Sequence, residues 1–163
     1  MVYFSAISTP LGEIGIVERD GIIISVLMDE NEWEKLLGSP HVLNKATPLL
    51  KEAAKQLEEY FEGKRTEFTF PFQQSGTPFQ EKVWKELMNI PFGQVRSYQE
   101  VAAAIGNPRA VRAVGQANKA NSLPIIVPCH RVIGQNGKLV GYAGNQVDKK
   151  AFLLDLEKRI CSL

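Results

Sequence analysis

A chain of 163 residues with only two cysteines and two histidines places one of each side by side. Cys129 and His130 lie within Pro128-Cys129-His130-Arg131, directly after the apolar run Ile125-Ile126-Val127. A thiolate is a strong nucleophile, and a neighbouring imidazole or guanidinium lowers a thiol pKa from its usual value of about 8.5. That order of residue types fits a nucleophilic cysteine. A cysteine after an apolar strand is equally ordinary core material, and on the tetrapeptide alone the two readings stand level. Neighbours on a straight strand also point to opposite faces, so Cys129 and His130 can cooperate only if the backbone bends at Pro128.

Two remote features bear on the choice. Leu153, Glu157 and Ile160 recur at i, i+4 and i+7, with Phe152 and Leu156 beside them, which puts Glu157 within or at the edge of an apolar helical stripe. Such a carboxylate either reaches back to solvent or finds a buried partner, and a histidine it oriented would complete a Cys-His-Glu relay. The stretch from Arg109 to Ala120 is built from small residues with Arg109 and Arg112 projecting from it. A helix so bare suits either burial against neighbours or close approach to a narrow nucleic-acid groove, where one arginine can insert into a base stack.

These residues need a scaffold. Runs at 2–8, 14–18 and 21–28 are β-prone, and Asp20-Gly21 between two of them predicts a hairpin. Helical periodicity over 47–61, stopped by Gly63, predicts one helix packed on that meander. The polar stretch 63–76, with two glycines and a proline, is the best linker candidate. Beyond it, Thr77-Pro78-Phe79-Gln80 and Ser97-Tyr98-Gln99-Glu100 are capping boxes opening helices. Asn107-Pro108 caps a third helix after a short turn, the layout of a helix-turn-helix, and Asn136-Gly137 marks a second hairpin that could serve as a wing. The expected fold is α+β: a small N-terminal α/β domain over 1–70 (antiparallel sheet plus helix), a linker about 71–76, and a mainly helical winged helix-turn-helix domain over 77–163.

Composition narrows the classes. Hydrophobic residues at 44% and charged residues at 23% describe a soluble globule, and no apolar stretch approaches the roughly 20 residues that span a bilayer. The first residues lack the features of a signal peptide, so an intracellular protein is expected. Cys129 and Cys161 are too few for a disulfide scaffold, and with His41 and His130 they form no recognised zinc pattern. Residues 1–95 hold 9 Lys+Arg against 14 Asp+Glu, whereas residues 96–163 hold 10 against 4. The basic second part either binds an anionic partner or carries scattered solvated charge.

The stretch 112–134, with Arg-Ala-Val-Gly ahead of Pro-Cys-His-Arg-Val, resembles the O6-alkylguanine-DNA alkyltransferase family, the methylated-DNA-protein-cysteine methyltransferases. The likeness runs from about Thr77 to Glu157, while residues 1–70 match in layout only. It implies direct-reversal DNA repair: O6-alkylguanine, with O4-alkylthymine left open, is flipped from duplex DNA and its alkyl group passes irreversibly to Cys129, once per molecule and without metal or cofactor. By position it implies His130 as base through a water, Glu157 orienting that histidine, Tyr98 donating toward ring N3, Arg112 as the finger filling the stack, and Asn121 as a hinge. Val132, Tyr142, Ala143 and Lys149 match pocket positions, and Ala110, Ala113 and Gly115 match small residues facing the minor groove. Ala143 departs from the serine some members carry, and Asn145 from a frequent glycine. The implied partner is double-stranded DNA, bound by a monomer in the cytoplasm, or in the nucleus of a eukaryote. Two other classes stay open: a winged-helix regulator with a structural or redox Cys129, and a cysteine hydrolase, for which the sequence offers no evident cleft.

Overall fold

Three β-prone runs separated by tight turns fold into three antiparallel strands in the computed structural model, which describes residues 1–137 and 147–163. Strands β1 (Val2–Thr9), β2 (Gly12–Arg19) and β3 (Ile22–Leu27) pair in sequence. Asp20 and Gly21 both take positive φ, 53° and 74°, the geometry a two-residue hairpin of this kind requires. The chain divides into two compact units, Met1–Gln74 and Ser75–Leu163.

The first unit has more structure than one helix on a meander. Helix α1 (Glu30–Leu37) is capped by Asp29, and strand β4 (Val42–Asn44) pairs parallel to β1, giving the order β3-β2-β1-β4. A three-residue strand and a helix with no buried residue carry too little apolar pattern to be read from sequence. Helix α2 (Pro48–Phe61), capped by Thr47, lays Leu50, Ala53, Leu57 and Tyr60 against Ile14, Ile16 and Ile23. Each such large side chain stabilises the unit by about 1.5–3 kcal/mol. Pro71–Gln73 is not free linker: Ile23 exchanges backbone hydrogen bonds with Pro71 and Gln73, because the outer edge of β3 offers unpaired groups there.

In the second unit both capping boxes form. Thr77 and Gln80 cap α3 (Pro78–Leu87), and Ser97 and Glu100 cap α4 (Tyr98–Ala104). Helix α5 (Val111–Lys119) starts later than expected. Asn107 and Pro108 close a turn, Ala110 is the N-cap without a side-chain bond, and the helix follows. Trp84 Nε1 donates to Ala117 O (2.8 Å), which ties α3 to α5. The last helix is α6 (Val147–Cys161). Two-residue strands β5 (Arg96–Ser97) and β6 (Val132–Ile133) pair in parallel. Of the expected wing, Gln135–Gly137 forms a 3-10 turn, and 138–146 lie outside the described residues. Among the described residues no helix is long and apolar enough to cross a membrane.

Candidate active site

Pro128, at φ −80° and ψ 65°, ends the apolar run, and Cys129–Arg131 turn into one 3-10 helix. Cys129 N–H donates to Val127 O (2.8 Å) and Arg131 N–H to Pro128 O (3.0 Å). This is the bend that any cooperation between Cys129 and His130 requires, since side chains on such a helix lie about 120° apart.

The turn before it is strained. Ile125 is 1% exposed yet has φ +75°, a left-handed conformation that costs a β-branched residue about 1–2 kcal/mol. Val127 N–H donates to Leu123 O (2.8 Å), while Asn121 donates to Val127 O (2.9 Å) and accepts from Leu123 N–H (3.0 Å). Asn121 thus ties the end of α5 to the approach to Cys129. The strain can be read directly. Ile125→Gly and Ile125→Ala both lose the buried side chain, but glycine is expected to be the more stable variant by about 1 kcal/mol in denaturant titrations, reversing the ordinary order of the two.

His130 is wholly buried, and its Nε2 stands 2.6 Å from Glu157 Oε2. Glu157, 1% exposed, also accepts from Arg131 through Nε to Oε1 (2.8 Å) and Nη2 to Oε2 (3.0 Å), and from Gly93 N–H (3.2 Å). Arg131 is nearly buried too, donating through Nη1 to Ile90 O (2.8 Å) beneath the Phe92 ring. Glycine is required at 93. Its φ is +83°, and a Cβ there would stand 2.3 Å from Cys161 Sγ. Burial alone would raise the Glu157 pKa, but the hydrogen bonds and charges of His130 and Arg131 outweigh it and hold the carboxyl well below the usual range. Burial pulls His130 down, against Glu157, so its imidazole is neutral at pH 7. A neutral imidazole facing a carboxylate donates through Nε2, which leaves Nδ1 as the acceptor nitrogen.

The thiol overturns one expectation. Burial pushes Cys129 up to about 11, where its neighbours in sequence were expected to lower it. The reason is geometric: the Arg131 guanidinium is committed to Glu157, and His130 is neutral. The groups that pull the thiol down are Asn121, by a hydrogen bond, and Lys150, by its charge. Lys150 is the lysine brought here; Lys149, matched to the pocket by position, is only half-buried one residue earlier on α6. Lys150 Nζ lies 3.4 Å from Tyr98 Oη and 5.6 Å from the centre of that ring, and burial lowers its pKa to about 8.

Tyr98 opens α4 and is 7% exposed. Burial and then the Cys129 charge raise its pKa to about 12, with a hydrogen bond from Asn118 pulling the other way. At neutral pH it therefore keeps its proton and can donate it. Asn118, wholly buried on α5, donates to the Cys129 carbonyl (3.2 Å).

Sequence reasoning did not single out Asn118, Lys150 or the grip of Arg131 on Glu157. Counting back from Glu157 by four and seven residues reaches Leu153 and Lys150, so the helical period would have found the lysine. Of the other expected residues, Val132 is buried beside the 3-10 turn, Arg112 and Ala113 are exposed on α5, and Ala110 and Gly115 are half-buried. A Cβ at Gly115 would stand 4.0 Å from the Tyr98 ring. Tyr142 and Ala143 lie outside the described residues. Among the described residues, no group of three or more His, Cys, Asp or Glu is placed to hold a metal ion.

Comparison with known proteins adds an independent line. Residues 78–159 match the family model described as 6-O-methylguanine DNA methyltransferase, DNA binding domain, and residues 2–74 match its ribonuclease-like domain. The constitutive methylated-DNA–protein-cysteine methyltransferase of Bacillus subtilis is 51% identical over 162 residues, covering 97% of this chain and 96% of that one. The Methanosarcina barkeri methylated-DNA–protein-cysteine methyltransferase is 43% identical over 157 residues, covering 96% and 98%. A crystal structure of Mycobacterium tuberculosis OGT in complex with DNA superposes with a TM-score of 0.86 at 41% identity, covering 97% of this chain and 94% of that one.

Proposed function

The chain belongs to the methylated-DNA–protein-cysteine methyltransferase family, and from that premise we propose that it repairs alkylated DNA by moving the alkyl group of O6-alkylguanine irreversibly onto Cys129. The observation that carries this assignment is the buried Cys129 with Tyr98, Lys150 and Asn121 around its sulfur and the His130–Glu157 pair behind it.

The chemistry follows from those groups. The reacting carbon lies inside the duplex, so the nucleotide must leave the stack, at a cost of a few kcal/mol that is smaller for a damaged pair. Arg112, exposed on a helix of small residues, fills the gap from the minor-groove side, and Ala110, Ala113 and Gly115 let the backbone approach. Sulfur then attacks the alkyl carbon. The S–C bond forms, the C–O6 bond breaks, and the electron pair stays on the guanine. Neutral His130 takes the thiol proton through a water, helped by Glu157, and Tyr98 hands a proton to the leaving base, with Lys150 charged beside it. The thioether has no easy hydrolytic exit, so each molecule acts once. The protein works as a monomer on double-stranded DNA, in the cytoplasm or in a eukaryotic nucleus.

Intact-mass spectrometry after mixing with an O6-methylguanine duplex tests this. One methyl group is expected on the protein, mapping to the peptide that contains Cys129. Unmodified protein with unrepaired DNA would reject the assignment, and repeated turnover on an ester or amide would favour a hydrolase.

A further inference from the structure

Asn118 sits where a helix would ordinarily carry an apolar side chain. Val111, Val114 and Asn118 follow at i, i+3 and i+7, and Asn118 is 0% exposed. Asparagine is a poor residue for a helix interior, and a buried amide is costly unless its hydrogen bonds are made. The bonds it makes are informative. Nδ2 donates to the carbonyl of Cys129 (3.2 Å), the residue that carries the nucleophile, and the same side chain is hydrogen-bonded to Tyr98, the proton donor. Three residues earlier on α5, Gly115 backs the Tyr98 ring, so one helix both lays the ring down and fixes its polar end.

We propose that Asn118 is a positioning residue for alkyl transfer, holding the Cys129 backbone and the Tyr98 side chain at one fixed spacing so that nucleophile and proton donor meet the same extruded base. This rests on the transfer chemistry proposed above. In-line attack needs sulfur, carbon and oxygen in register while Tyr98 reaches the ring, and a displacement of about 1 Å in such a geometry can cost on the order of 100-fold in rate. Asn118 lies six residues beyond Arg112, so the helix that meets DNA also sets the two reacting groups.

The test is single-turnover methyl transfer from an O6-methylguanine duplex, with protein in excess and varied to give a saturating rate and a half-saturating concentration. Asn118→Leu keeps the size and removes the donors. Its saturating rate is expected to fall about 10–100-fold while half-saturation stays within about threefold of wild type. A Tyr98→Phe background separates positioning from general loosening: there Asn118→Leu is expected to cost less than it does in the wild-type chain, because only the contact to the Cys129 carbonyl is left to lose. Asn118→Ser, too short to reach either partner, serves in the same cycle if the leucine variant does not fold. An unchanged saturating rate, a loss confined to half-saturation, or full additivity with Tyr98→Phe overturns the proposal. A wild-type chain that gains no methyl group rejects the underlying function instead.

Discussion

Cys129→Ala is expected to bind an O6-methylguanine duplex within about threefold of the wild-type affinity and to transfer nothing, because the substitution removes the acceptor sulfur and none of the groups proposed to meet DNA. Gel-shift titration and mass spectrometry on one preparation check both halves. A winged-helix regulator would lose neither binding nor cellular effect, whereas here repair is abolished and the O6-methylguanine stays in the DNA. The wild-type pH profile sharpens the role of the neighbours. With the thiol at about 11, free thiolate at pH 7 is on the order of one molecule in 10⁴. Transfer that waited for it would climb about tenfold per pH unit. Transfer in which neutral His130 takes the proton does not depend on bulk pH while the imidazole stays neutral. A plateau through neutrality is therefore expected, falling above about 8, where Lys150 loses the charge that faces the sulfur. Rapid-quench rates from about pH 6 to about pH 9 distinguish the two profiles.

The sulfur and its relay were legible because each signal is local or periodic. Pro128 announced the bend, two capping boxes announced α3 and α4 and so placed Tyr98 at a helix start, and Glu157 in an apolar stripe posed the choice between solvent and a buried partner. What escaped was set by tertiary contact. Neighbours in sequence suggested that the Arg131 guanidinium serves the thiol, but it turns to Glu157, 26 residues away, and the cation that faces sulfur comes from α6. Adjacent lysines on a helix differ by about 100° in direction, so a one-residue offset exchanges a half-buried Lys149 for a buried Lys150. The left-handed Ile125 had no sequence signal at all, since nothing about isoleucine invites φ +75° and only the packing around it can hold it there.

Glu157→Gln carries the largest combined effect expected on rate and stability. Each carboxylate oxygen of Glu157 faces donors on both sides: Oε1 meets Arg131 Nε and Gly93 N–H, and Oε2 meets His130 Nε2 and Arg131 Nη2. An amide in the same place must turn its NH₂ toward one of these pairs. The accommodation open to it is for His130 to change tautomer and accept at Nε2, which puts the proton on Nδ1 and removes the nitrogen that would take the thiol proton. Methyl transfer is accordingly expected to fall about 10²–10⁴-fold, with the saturating rate rather than half-saturation carrying the loss. Arg131 is left buried without its counter-charge, a change worth about 3–5 kcal/mol of stability, readable in denaturant titration. The acid limb gives a second check. Glu157 has a depressed pKa in the folded chain, so its contribution is complete above the ordinary carboxylate value of about 4.3 and is lost as pH falls below it. His130, also depressed, adds a loss that begins below about 6.5. Glu157→Gln should be less stable at neutral pH and lose less of its remaining stability below about pH 4.3, because the group that would have been protonated there is gone. A variant that kept wild-type transfer and the wild-type acid limb would place the function of Glu157 elsewhere than in holding His130 and Arg131.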